Sequence, residues 1–170
     1  MLLRAEKVRM AIFDVDGVLT DGRLYLSDSG EETKAFDTQD GQGMKMLRAS
    51  GIEIAIITGR TARCVELRAQ NLGISLLFQG ASDKLAVYNE LLRSQGLTPE
   101  QTAYMGDDVV DLPVLLRCGF AIAVPDAPDI VRQHAHYVTK RRGGRGAVRE
   151  ACELLMRMQG SFDAQLAAYL

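Results

Sequence analysis

The chain has 170 residues, 47% of them hydrophobic and 25% charged, with a formal net charge of −2 at pH 7. That is the make-up of one ordinary globular domain with a proper core, and its near-neutral balance supplies no global attraction to nucleic acid or an anionic membrane. No apolar run approaches the roughly 18 residues that cross a bilayer, and Met1 to Lys7 lacks the apolar core and cleavage site of a signal peptide, so cytoplasm is the expected compartment.

Val8 to Phe13 is a short apolar, β-branched and aromatic run broken only by Arg9, which predicts a buried strand. It stops on Asp14 and Asp16 with Gly17 next, so the chain leaves the sheet in a turn that holds both acids near the strand's carboxyl end. Arg23 to Phe36 holds two alternating segments around Ser27-Asp28-Ser29-Gly30, the pattern of a β-hairpin. From Asp40 the period becomes helical and closes at Gly51.

Ile52 to Ile57 reads as a second buried strand, ending at Thr58-Gly59-Arg60, and Thr61 to Gly73 as a helix. Ile74 to Phe78 is a third strand. Ser82-Asp83-Lys84 opens a helix to about Gln95, and Thr102 to Met105 is a fourth strand ending at Gly106-Asp107-Asp108. The next helix carries Pro113 in its first turn, so it starts no earlier than about Val109. Then come a strand at Phe120 to Val124, a helix from about Asp126 to His134, a short strand at Tyr137-Val138, a basic glycine loop, and a helix from Ala147 to about Gln159. Ser161 to Leu170 has weak helical periodicity and is expected to be a flexible tail from about 160.

Strands alternate with helices throughout, which predicts an α/β fold: a single Rossmann-like three-layer domain over 1–170 with a mostly parallel sheet. Cys64, Cys118 and Cys152 form no CxxC pair and sit among apolar neighbours, as small core residues do. His134 and His136 have no metal-ligand spacing and read as surface or capping groups.

In a parallel sheet the carboxyl ends of the strands share one edge, where ligand sites form. Here that edge collects Asp14 and Asp16, Thr58, Lys84, and Asp107, Asp108 and Asp111. An isolated DxD is ordinarily a pair of solvated strand-end aspartates. Four carboxylates meeting in one cleft are strongly destabilising unless a cation sits among them, and a hard divalent ion such as Mg2+ takes oxygen ligands while leaving room for a phosphate. Lys84 suits a phosphoryl oxygen as a point charge, and Thr58 beside Gly59 offers a hydroxyl where backbone amides approach closely.

These motifs, Asp14-Val15-Asp16-Gly17-Val18-Leu19-Thr20, Thr58-Gly59-Arg60, Lys84 and Gly106-Asp107-Asp108-Val109-Val110-Asp111, resemble in order those of the haloacid dehalogenase-like superfamily. The resemblance implies Asp14 as the nucleophile that forms an aspartyl-phosphate and Asp16 as the acid/base that protonates the leaving alcohol and then activates water. It further implies Thr58 and Lys84 on the phosphate, Mg2+ held by Asp14, the Asp16 carbonyl and Asp107, and Asp108 and Asp111 in support. A halide leaving group needs no acid, so Asp16 favours phosphoryl transfer over dehalogenation.

Asp21 to Gln39 leaves room only for the hairpin, and Gly80 to Met105 for one helix and a strand, so no cap domain is expected. The hairpin 22–36, the segment Asp37 to Gly41, Ile56 to Arg60 and Gly143 to Glu150 closely resemble the capless 3-deoxy-D-manno-octulosonate 8-phosphate phosphatases. Such a resemblance implies a homotetramer assembled through the hairpins, a C-terminal tail able to reach a neighbouring site, and a role in lipopolysaccharide biosynthesis. Relatives acting on nine-carbon sialic-type sugar acid phosphates share nearly all of these features.

Lys140 to Gly146 puts four cations on one loop of a slightly acidic chain, without the interleaved aromatics of a nucleic-acid patch. A sugar acid phosphate carries a carboxylate besides its phosphate, so Arg60 and this loop, Arg145 included, are expected to pair with substrate. A signalling receiver also unites acids, Thr and Lys, but its third strand carries the phosphate-accepting aspartate, and Ile74 to Phe78 ends without an acid. A non-catalytic scaffold is disfavoured by the intact Asp14, Asp16, Thr58, Lys84 and Asp107.

Overall fold

The first apolar run forms β1, Met10–Phe13, with all four residues buried, after a single helical turn, α1, at Leu2–Ala5. In the computed structural model, which describes residues 2–170, the hairpin is short: β2, Tyr25–Leu26, pairs antiparallel with β3, Glu32–Thr33. α2, Thr38–Ala49, starts where the Asp37 carboxylate accepts the free N–H groups of Gln39 and Asp40. β4, Glu53–Ile57, and α3, Arg63–Leu72, lead to β5, Leu76–Phe78.

α4, Lys84–Gln95, is capped by Asp83, which accepts from the Ala86 N–H. β6, Thr102–Gly106, then feeds a tight turn at Val109–Asp111 and the short α5, Leu112–Leu115, with Pro113 in its first turn. β7, Phe120–Ala123, α6, Asp129–Gln133, and β8, Tyr137–Val138, follow. α7, Ala147–Met158, and α8, Phe162–Ala167, close the chain.

The six strands outside the hairpin make one wholly parallel sheet in the order β5-β4-β1-β6-β7-β8. Chain order reverses at β1, which pairs with β4 on one side and β6 on the other. The register matches Phe13 with Ile56 and with Met105, so Asp14, Thr58 and Asp107 all emerge one or two residues later on one edge. That is the switch-point crevice in which α/β sheets bind ligands. Among the described residues no cap interrupts the path to it: the turn at Val15–Leu19 and the hairpin lie between β1 and α2, and α4 and one turn lie between β5 and β6.

Packing fixes the rest of that edge. α2 and α7 form a tight pair, and a Cβ on Gly43 of α2 would meet Arg149 of α7 at 2.8 Å. Asp40, 1% exposed, accepts from the backbone N–H groups of Gly146 and Arg149 and so satisfies the open end of α7. Several elements depart from their sequence-based bounds: α2 begins at Thr38 rather than Asp40, and α3 at Arg63 rather than Thr61. α6 begins at Asp129 rather than Asp126 because Pro128 excludes Ala127 from helical backbone, and β5 begins at Leu76 because Ile74 still donates back to Ala69. The segment from about 160 forms α8, with Phe162 buried and the Arg157 guanidinium 3.6 Å from its ring centroid. Among the described residues no helix is long and apolar enough to cross a membrane.

Candidate active site

Asp14 is the first residue past β1; its N–H donates to the Met105 carbonyl, which ties it to β6. The chain then folds back sharply, the Thr20 N–H donating to the Val15 carbonyl. Gly17 sits in this turn at φ +85°, and a Cβ there would lie 1.9 Å from Asp107 Oδ2. Only glycine meets both demands, so the turn and Asp107 are built to be close neighbours.

Asp111, fully buried, organises the opposite wall. One carboxylate oxygen accepts from the N–H groups of Asp107 and Asp108, at 3.0 and 3.2 Å. The other accepts from the Tyr104 hydroxyl at 2.7 Å and the Lys84 ammonium at 2.7 Å. Lys84, the first residue of α4, also reaches Asp14 Oδ2 at 2.9 Å. Burial opposes its charge, but the Asp14 and Asp111 carboxylates outweigh that and hold its pKa above the usual lysine value.

The acids feel the opposite pressure. Burial, then repulsion from Asp111, pushes the Asp14 carboxyl up to about 6 against the pull of Lys84. Burial, then repulsion from Asp14 and Asp111, pushes Asp107 up to about 8. One carboxylate oxygen from each of Asp14, Asp107 and Asp111 lies within 4.8 Å of the others. Three hard oxygen donors this close, two of them reluctant to ionise together, fit a small divalent cation. Asp111 already carries four hydrogen bonds, so Asp14 and Asp107 are the side chains with capacity left for an ion. The Asp16 carboxylate pairs with Lys34 through Oδ1 and is not one of the three acids that lie close enough to share an ion.

A cavity of about 260 Å3 opens over these groups, walled by Asp14, Asp16, Thr58, Gly59, Arg60, Lys84, Asp107, Asp108 and Val110. Thr58 is buried at the end of β4, its N–H donating to Phe78 and its carbonyl accepting from Ala81, while Arg60 is exposed. Of the residues singled out from sequence, two do not line this wall: Asp111, fully buried behind it, and Arg145. Arg145 is exposed, near enough to Asp21 to help lower its carboxyl, whose main cause is the Tyr25 hydroxyl bond. The glycines beside it are used differently: the Gly144 N–H donates to Val18, and a Cβ on Gly143 would strike the Gly17 carbonyl at 1.8 Å. The basic loop therefore buttresses the catalytic turn.

A larger hollow of about 590 Å3 lies apart, between Gln39, Tyr137, Arg141 and Arg157. Its acids are spoken for: Glu150 accepts from the Tyr137 hydroxyl and the Lys140 and Arg141 N–H groups, and Glu153 pairs with Arg149 and Arg157. Two groups of the site itself have no counterpart in the sequence reading. Lys34, with a side chain 1% exposed, pairs with Asp16 and Glu32, and Glu32 pairs in turn with Arg60. Period-two alternation puts Glu32 and Lys34 on one face of the hairpin, which was the available signal.

Residues 77–150 match the haloacid dehalogenase-like hydrolase family. The chain is 49% identical over 163 residues to a 3-deoxy-D-manno-octulosonate 8-phosphate phosphatase of Yersinia pestis, covering 96% of this chain and 87% of that one. It superposes on the phosphatase of that name from Moraxella catarrhalis, solved with a magnesium ion, a phosphate ion and KDO, with TM-score 0.97, 43% identity and coverage of 99% and 97%. A cobalt-bound deoxy-D-mannose-octulosonate 8-phosphate phosphatase from Haemophilus influenzae matches with TM-score 0.91, 41% identity and coverage of 95% and 94%.

Proposed function

The chain belongs to the haloacid dehalogenase-like hydrolases, among the 3-deoxy-D-manno-octulosonate 8-phosphate phosphatases, and on that premise we propose how its residues divide the reaction. The enzyme is a metal-dependent phosphomonoesterase that releases 3-deoxy-D-manno-octulosonate and inorganic phosphate. One observation carries the assignment of roles: Lys84 bridges Asp14 and Asp111 while Asp107 closes on the same point.

Asp14 attacks phosphorus as a carboxylate, and the bond to the sugar oxygen breaks as the phosphoryl group passes to its Oδ. Asp16 gives its proton to the departing alcohol oxygen. It then takes a proton from the water that attacks the aspartyl-phosphate, which frees phosphate and restores Asp14. Lys84, the Thr58 hydroxyl and the Gly59 amide bind the phosphoryl oxygens, so one ammonium both steadies Asp14 and offsets charge on the transferring group. Asp14, the Asp16 carbonyl and Asp107 are the residues that would hold Mg2+, which when bound supplies Lewis-acid neutralisation at the phosphoryl group. Asp111 and Asp108 support them, Asp111 through the bonds that fix Lys84 and the loop. Arg60 pairs with the substrate carboxylate, and Arg145, exposed on the loop docked against the turn, offers the sugar acid a second cation.

We place the enzyme in the cytoplasm within lipopolysaccharide biosynthesis, as a homotetramer joined through the hairpin. The exposure of Leu24, Tyr25 and Leu26 supports that last reading. A phosphate-release screen with Mg2+ tests the substrate, comparing octulosonate 8-phosphate, a nonulosonate 9-phosphate and a hexose phosphate. A clear preference in kcat/KM for the octulosonate is expected. Equal rates on all three would leave a hydrolase but remove the sugar assignment.

A further inference from the structure

Asp111 and Lys84 each have more than one partner, whereas the Asp16 carboxylate has one. Among the described residues its sole hydrogen-bond and ion-pair partner is Lys34 Nζ, on Oδ1. Lys34 is held from the other side by Glu32 Oε1 at 2.7 Å, and Glu32 Oε2 holds Arg60. A line of alternating charge thus runs from the catalytic turn, through the last residues of the hairpin, to the loop after β4. Burial opposes the Lys34 charge, but its bonds to Asp16 and Glu32 outweigh that and raise its pKa.

We infer that Lys34 is a positioning residue for this reaction, its buried ammonium fixing the carboxyl of Asp16 so that the free oxygen faces the departing alcohol. The inference rests on the assignment of Asp16 as the acid. An ammonium with 1% of its side chain exposed is an expensive way to anchor a hairpin, since an apolar residue would pack there without needing two carboxylates. Its use is clearer from the side of Asp16, whose side chain is 22% exposed and otherwise free to choose among staggered rotamers. General-acid transfer needs the donor oxygen within hydrogen-bond reach of the acceptor, and a displacement of about 1 Å costs on the order of 10²-fold in rate. Lys34 occupies Oδ1 and leaves Oδ2 without a partner. The proton on Oδ2 moves to the substrate's alcohol oxygen as the P–O bond breaks, and the negative charge left on Asp16 then lies against Lys34.

A purely structural hairpin anchor and a positioning residue differ in their dependence on the leaving group. A sugar alcohol leaves only with a proton, whereas p-nitrophenolate leaves without one. Single-turnover leaving-group release by the full chain with Mg2+ is measured for octulosonate 8-phosphate and for p-nitrophenyl phosphate, with thermal melts to verify folding. Lys34→Met is expected to slow the sugar phosphate by about 10²-fold and the nitrophenyl ester by less than about threefold. Lys34→Arg, which keeps the cation, should recover the sugar phosphate to within about tenfold of the parent. Lys34→Gln, a neutral donor, should show the same selective loss and serves if the methionine variant does not fold. Equal losses on both substrates, or none on either, would overturn the role of Lys34. Asp16→Asn is run alongside: were it to slow both substrates equally, the premise about Asp16 would be what failed, and the inference with it.

Discussion

The crowded acids of the site make a prediction whose sign is opposite to the usual behaviour of surface aspartates. In the metal-free protein Asp107 is held up to about 8, from an ordinary value of 3.8, by burial and by Asp14 and Asp111. Its folded-state pKa lies above the unfolded one, so the folded protein keeps a proton that the unfolded chain has lost. The contribution of Asp107 to stability is therefore fully present below about pH 4, falls as pH rises, and is gone above about pH 8. Two charges 4.8 Å apart repel by about 3.5 kcal/mol at an effective dielectric of 20. The linkage ceiling for a shift of that size is about 6 kcal/mol, and because Asp107 is partly exposed we take about 2–4 kcal/mol. For a domain of this length that is about 4–16 °C in Tm. Calorimetry of metal-free protein at about pH 5 and about pH 8.5 should show Asp107→Asn gaining on the parent by that margin at the higher pH, while Mg2+ restores the parent and not the variant. An Asp107→Asn protein less stable than the parent at about pH 8.5 without metal would refute the crowded-acid account.

Lys84→Met leaves Asp14 and Asp111 buried without their cation, so it should cost about 3–5 kcal/mol and lower Tm at neutral pH; an unchanged melt would show that the pair is not buried as described. Arg60→Ala removes an exposed guanidinium, so Tm should hold while KM rises about tenfold or more and kcat changes little; a fall in kcat at constant KM would contradict the handle assigned to it. Leu26→Glu, at a position 63% exposed, should leave the fold intact but lower the mass measured by light scattering. An unchanged mass would remove the hairpin as the assembly surface.

The convergence of Asp14, Thr58, Lys84 and Asp107 was legible because strand ends are local features and a parallel sheet aligns them without further information. What escaped was held by partners far apart in the chain. Asp40 reads as an ordinary first-turn helix acid, yet its partners lie 106 and 109 positions away on α7, and burial pushes its carboxyl up to about 6 against those bonds. Lys34 looks like one more charge after Glu31 and Glu32 until the hairpin folds over the turn. The basic loop was noticed for its charge, and charge does not reveal that Gly143 and Gly144 dock its backbone against Val18 and Gly17. The start of α6 was a local error, since two prolines three apart already forbid helix before Asp129.

The charges of the site fall into two halves with different dependences on solution. Asp14, Asp107 and Asp111 face a single ammonium, Lys84, so once all three are ionised two negative charges are in excess where solvent is scarce. A dication matches that excess, and a monovalent ion would leave one charge uncompensated. In the hairpin half, Asp16 and Glu32 meet Lys34 and Arg60, and the charges balance without help. Removing the metal should therefore loosen Asp107 and its loop while leaving Asp16 in place. Under the role proposed for Arg60, the substrate carboxylate would share it with Glu32, so sugar binding would pull on the same carboxylate that holds Lys34. On the proposed roles, recognition of the sugar acid and placement of the proton donor would be joined through Glu32, by ion pairs that need no metal.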